Sequence, residues 1–156
     1  MAFVDRDHLG ENFVNVSMMV GPRRANFRDD VTLVQVLLIL HFGSGGKAAG
    51  RLQHTSVDLG QIVLGTYDDN TGTLIKDFQR LFLRRPKPEG YIQRASGKNK
   101  SHFTIYQLYL QAQLLLAASR NPRDLIDYLK GFPSLGPSLQ VPGPPPREHR
   151  EEIEYH

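Results

Sequence analysis

A chain of 156 residues, 40% hydrophobic and 22% charged, is long enough to bury one ordinary core. It contains no cysteine, which excludes disulfides and thiolate metal sites. Its formal charge of +3 is uneven: residues 133–156 hold two arginines against four glutamates, a net of −2 that leaves +5 for the rest. That balance is weak for holding several phosphates and argues against nucleic acid as a partner.

The longest unbroken apolar runs, at 36–40 and 114–118, have five residues each. A transmembrane helix needs roughly 20, so no membrane insertion is expected. The opening Met1-Ala2-Phe3-Val4-Asp5-Arg6-Asp7-His8 places two acids where a secretory leader carries basic residues. No signal peptide is expected, and the chain reads as cytoplasmic when synthesised.

Residues 1–28 form an N-terminal extension with at most one short strand, in the stretch from Asn12 to Val20, closed by Gly21-Pro22. The first helix opens at Asp29-Asp30, either of which can cap it. Val31, Val34, Leu38 and Phe42 recur at spacings of three and four, and Leu33, Val36, Leu37, Ile39 and Leu40 fill most of the remaining circumference. Such a helix is expected to be buried on more than one side. Gly43-Ser44-Gly45-Gly46 stops it, and residues 43–61 read as an inserted loop without periodicity. Ile62-Val63-Leu64 is a short extended piece ending at Gly65. Asp69 or Asn70 then caps a second helix with an amphipathic stripe of Thr71, Leu74, Ile75, Phe78, Leu81 and Phe82, and Lys76, Asp77, Gln79 and Arg80 facing outward.

Pro86 and Pro88 end that helix. Glu89-Gly90-Tyr91-Ile92 reads as a turn and a short strand. Ser101 is the expected cap of a third helix, which carries Ile105, Leu108, Tyr109, Ala112, Leu115 and Leu116 on one face. Asn121-Pro122 suggests a cap and first position for a short fourth helix, 123–130, closed by Gly131. Residues 133–156 contain six of the ten prolines and read as a Pro-rich flexible tail.

Two segments resemble the peptidoglycan-binding domain family. Asp30-Val31-Thr32-Leu33-Val34-Gln35 is similar to the start of the family's first helix. Gly65-Thr66-Tyr67-Asp68-Asp69-Asn70-Thr71, with Leu74-Ile75-Lys76-Asp77-Phe78-Gln79, is similar to its Gly-x-aromatic turn and second helix, and Glu89-Gly90-Tyr91-Ile92 to its later Asp-Gly turn. The match covers about 27–109. It implies a mainly α fold: a three-helix core over 29–132, anchored by Val34 and Phe78, with short extended turns and an extra C-terminal helix. The family pattern is broken by Leu64 in place of an acid, Asp68 in place of a second turn glycine, and Glu89 in place of an aspartate.

The resemblance implies a non-catalytic module that recognises peptidoglycan or a muropeptide, with no cofactor. Such a module without a leader would reach the periplasm or cell wall through a specialised secretion system or a phage. Its candidate groove is Tyr67, Asp69, Arg85, Glu89, Tyr91 and Gln93. The plainer reading has both tyrosines packed at turn edges, and Arg84, Arg85 and Lys87 complementing the helix dipole. No histidine pair has metal-ligand spacing, and no nucleophile or phosphate-loop motif is present. The alternative function is a protein-interaction adaptor on the same fold. Its contacts would come from Leu33, Leu37, Leu40, Tyr106, Leu110, Leu114 and Ala117, unless the N-terminal segment and fourth helix cover them, with the tail as tether.

Overall fold

The computed structural model describes residues 1–140. The fold is mostly helical, with four helices and one small two-stranded sheet among the described residues. None of these helices is long and apolar enough to cross a membrane.

The N-terminal segment departs from expectation. It forms a hairpin of β1 (Phe3–Arg6) and β2 (Asn12–Asn15), antiparallel, with Val4 opposite Val14. Asp7 turns the chain between them, its Oδ1 accepting from the amides of Leu9 at 2.8 Å and Glu11 at 2.9 Å. Phe13, Val14 and Val16 are fully buried, and Phe13 meets Tyr106 edge-on with ring centroids 5.1 Å apart. Four residues with one buried side chain leave β1 almost no periodic signal, which is why only the second strand was legible.

Helix α1 (Arg28–Gly43) is the core element, buried almost continuously from Asp30 to Leu38. Neither aspartate caps it: Phe27 occupies the cap position without a side-chain bond. Asp30, fully buried, instead accepts from the Ser17 amide and hydroxyl at 3.0 and 2.8 Å and the Met18 amide at 3.1 Å. Asp29 accepts from the Ala2 amide at 2.8 Å and the Ser138 hydroxyl at 3.0 Å. Their charge suits the positive end of the helix; Asp29 fastens both ends of the described chain there, and Asp30 the segment that follows the hairpin.

Helix α2 (Asp69–Leu81) is capped by Asp68, one residue before the expected position, through the Thr71 amide at 3.0 Å. Helix α3 (Thr104–Ala117) begins after Phe103, with no side-chain cap; Ser101 lies in a separate helical turn, Lys100–His102. Helix α4 (Leu125–Lys130) is capped by Asp124 rather than Asn121, through the amides of Ile126 and Asp127. Val34, Phe78, Ile105 and Leu108 are all fully buried in one core.

Much of what looked surplus on the helices is buried: the hairpin strand β2 and α4 pack on α3, where Tyr106 is nearly inaccessible, and Leu33 and Leu37 of α1 are fully buried, while Leu114 stays 54% exposed. The inserted loop holds helical turns at Lys47–Ala49 and Leu59–Gln61. Polar bonds anchor it: buried Gln53 meets His41 Nε2 at 2.7 Å, and Thr55 donates to Asp77 at 2.7 Å. Burial depresses the pKa of His41, so it sits in the core as a neutral ring between Phe42 and Phe78.

The expected tail boundary at 133 is too early. Leu135 and Leu139 are fully buried in the core, and backbone bonds continue from Phe132 through Leu139. Fully burying a leucine is worth about 1.5–3 kcal/mol, enough to hold a Pro- and Gly-containing segment whose average composition reads as unfolded. The remainder of the expected tail, 141–156, lies outside the described residues.

Candidate functional site

Two turns position the candidate residues, and the same device builds both. At the first, fully buried Gln35 of α1 accepts from the Gly65 amide at 2.8 Å. Its amide group donates to the carbonyls of Thr66 at 2.9 Å and Val63 at 3.1 Å, and to the Thr71 hydroxyl at 3.0 Å. At the second, Gln79 of α2 is fully buried, and Asp77 nearly so, where both were expected to face outward, because each has bonding partners inside the fold; Gln79 accepts from the Gly90 amide at 2.9 Å. It donates to the Tyr91 carbonyl at 2.9 Å and lies 3.4 Å from the Thr104 hydroxyl. Both glycines are left-handed, with φ of 88° and 78°. Each glutamine thus ties its own helix to a glycine turn and to a threonine at the start of the next helix. Residues 62–64 form no strand; the second turn leads into a single bridge between Ile92 and Val20.

The first turn delivers Tyr67 onto α2. The ring is half-buried, and its hydroxyl lies over Gly72, where a Cβ would come within 2.7 Å of it. Burial, followed by the charges of Asp69, Tyr91 and Asp68, raises the tyrosine's pKa and keeps it neutral. Beside it is an open hollow of about 230 Å³ lined by Pro22, Tyr67, Asp69, Gly72, Thr73 and Lys76. Asp69, Gly72, Thr73 and Lys76 are spaced at three and four, hence on one face of α2. The sequence reading chose Asp69 and left Lys76 as a solvated charge; the helical spacing was the signal that joins them.

Arg85, Glu89 and Gln93 lie elsewhere. They line a second hollow of about 310 Å³ with Lys87, His102, Phe103 and Thr104. Arg85 and Glu89 form an ion pair at 3.0 Å, both partly exposed, and Arg80 pairs with Asp77 at 2.8 Å. The basic cluster after α2 is therefore partly neutralised. Lys76 of the first hollow reaches the second turn, its Cε 3.0 Å from where a Cβ on Gly90 would stand.

Tyr91, expected in the groove wall, lines neither hollow. Its ring packs on Gly21, where a Cβ would come within 2.4 Å of it, and the Arg24 guanidinium sits 5.2 Å from the ring centroid. Bonds between Val20 and Ile92 at 2.8 and 3.0 Å pin the neighbouring backbone. The six candidates thus divide into two separate hollows and one packed tyrosine.

Among the described residues, no group of three or more His, Asp or Glu is placed to hold a metal ion. Comparisons with protein-family models, curated proteins and solved structures find no match for this chain.

Proposed function

We propose that this chain is a non-catalytic module that recognises peptidoglycan, with the hollow beside Tyr67 as its primary contact. The observation that carries the reading is one face of α2 offering a neutral aromatic ring, a carboxylate and an ammonium around an open hollow: Tyr67, Asp69 and Lys76. A half-buried tyrosine is a preorganised wall for the apolar face of a sugar or the stem of a short peptide. Asp69 and Lys76 would meet the amine and carboxylate that a muropeptide carries. The hollow of Arg85, Glu89 and Gln93 would extend the contact along the strand. Burial of Val34 and Phe78, and the left-handed turns at Gly65 and Gly90, support the family resemblance drawn from those residues.

Co-sedimentation with washed sacculi tests this. The protein is expected to pellet in both low and high salt, because a shaped aromatic site is screened less than a charge pair. Tyr67→Ala should weaken binding about tenfold, equivalent to ~1.4 kcal/mol. Absence of pelleting at any salt overturns the wall-binding reading.

A second reading has its own observation. Phe27, Val63 and Leu64, flanking the Gly65 turn, are 47%, 60% and 38% exposed. An apolar rim of this kind favours a protein-interaction adaptor. Absence of sacculus pelleting by the unaltered chain at any salt would favour it over wall binding.

A further inference from the structure

A larger cleft, about 520 Å³, opens where the β1–β2 turn, α3 and α4 come together. Four carboxylates line it, from Asp7, Glu11, Asp124 and Asp127, and no lysine, arginine or histidine does. In a chain of net charge +3 this is a local reversal of sign.

The four acids divide by what they already hold. Asp7 is engaged by the Leu9 and Glu11 amides and by the Tyr106 hydroxyl at 2.8 Å, and Asp124 caps α4. The side chains of Glu11 and Asp127 accept no hydrogen bond and form no ion pair among the described residues.

An independent observation comes from the tyrosine beneath them. Tyr109 lines the cleft and is only 8% exposed, yet its hydroxyl has no hydrogen-bond partner among the described residues. A tyrosine buried to that degree ordinarily has one. Burial and the nearby charges of Asp124, Asp7 and Glu11 push its pKa up to about 12, so the hydroxyl stays neutral. Asn12, also in the lining, has a buried Oδ1 without a partner. The cleft thus presents two free carboxylates and the Tyr109 hydroxyl, all able to accept, above the enclosed Asn12 oxygen.

The complement of such a surface is a cation rich in donors. A guanidinium has five N–H donors in a planar fork and no acceptor, whereas an ammonium concentrates three donors at a point. Leu9, Leu110 and Ile126 add apolar walls for the methylenes behind the charge. Leu9, 73% exposed, and Leu114, one helical turn beyond Leu110 and 54% exposed, extend that apolar surface past the cleft. A residue joined to further chain can use this extension; a small free cation cannot. We propose that the cleft binds the guanidinium of an arginine side chain presented by a partner protein, through Glu11, Asp127 and Tyr109.

The test is calorimetric titration of the full chain with acetyl-Leu-Arg-Leu-amide. The same peptide with citrulline in place of arginine, and spermidine, serve as comparators. Saturable binding of the arginine peptide is expected, at least about tenfold tighter than either comparator. The Glu11→Gln/Asp127→Asn double variant should weaken it about tenfold or more. Tyr109→Phe should weaken it severalfold with the thermal unfolding midpoint unchanged, since the hydroxyl supports nothing inside the protein. No saturable binding, equal affinity for the citrulline peptide, or indifference to the double variant would overturn the site. Tighter binding of spermidine than of the arginine peptide would overturn the assignment to a protein side chain.

Discussion

The Gly65 and Gly90 turns are built alike and used differently. Each hangs on a buried glutamine, and each leads toward a helix with a threonine in its first turn. The first is followed within three residues by the cap of α2, so Tyr67 is delivered directly onto that helix beside an open hollow. The second continues into the Val20–Ile92 bridge, and the following loop is tied to the hairpin through Asn15, which exchanges bonds of 2.9 and 3.0 Å with Ala95. Its tyrosine is packed against Gly21. What surrounds a shared device, and not the device itself, decides whether its aromatic residue is a wall of a hollow or part of the fold.

Removing the glutamines is the most severe challenge to this comparison. Gln35→Ala leaves the Gly65 amide, the Thr66 carbonyl and the Thr71 hydroxyl short of partners, and should cost about 3–5 kcal/mol. Gln79→Ala, which strands fewer groups at good distance, should cost about 1 kcal/mol less, as read from urea unfolding. Equal costs would mean that the weaker contact to Thr104 matters as much as the closer one to Thr71.

Glycine substitutions come next. Gly65→Ala and Gly90→Ala each force a left-handed alanine, expected to cost about 1–2 kcal/mol. Gly65 should be the more sensitive, because a Cβ there would lie 2.8 Å from Arg28 Cγ, close to the backbone, whereas at Gly90 it would meet the mobile end of Lys76.

The caps give a smaller and more selective effect. Asp68→Ala should lower stability by about 1 kcal/mol, and Asp69→Ala by less than about 0.5 kcal/mol, because only Asp68 bonds the Thr71 amide. Thermal unfolding of the pair distinguishes the cap from its exposed neighbour. Tyr67→Phe should have the least effect on stability, within about 0.5 kcal/mol, since its hydroxyl has no hydrogen-bond partner among the described residues. Sacculus binding weakened by Tyr67→Ala and retained by Tyr67→Phe, with stability unchanged in the latter, would show that the ring of this turn, unlike that of Tyr91, faces a ligand.

Much of the helical plan was legible. Val31, Val34, Leu38 and Phe42 mark α1, and Leu74, Ile75 and Phe78 mark α2, because an apolar stripe every three or four residues is needed to bury one face. Gly65 and Gly90 were legible as turns because left-handed backbone favours glycine locally. Caps were less so: several Asp, Asn or Ser residues stood near each helix start, and geometry selected Asp68 and Asp124 but passed over Asp29, Asp30 and Ser101. Leu135 and Leu139 were obscured by the prolines and glycines around them, although their burial, with the Ser138–Asp29 bond, holds that segment.

The candidate site was half visible. Tyr67 and Asp69 share a hollow, but Lys76 had to be added and Tyr91 removed. Glu11, Tyr109 and Asp127 are far apart in the chain, and no local pattern announces that they line one cleft. The sequence by itself determined where the chain turns and where it coils, because φ preference and helical period are properties of neighbouring residues. Tertiary structure alone decided which polar groups are buried, which of them find partners, and which are left facing a cleft, because those outcomes depend on segments meeting across the fold.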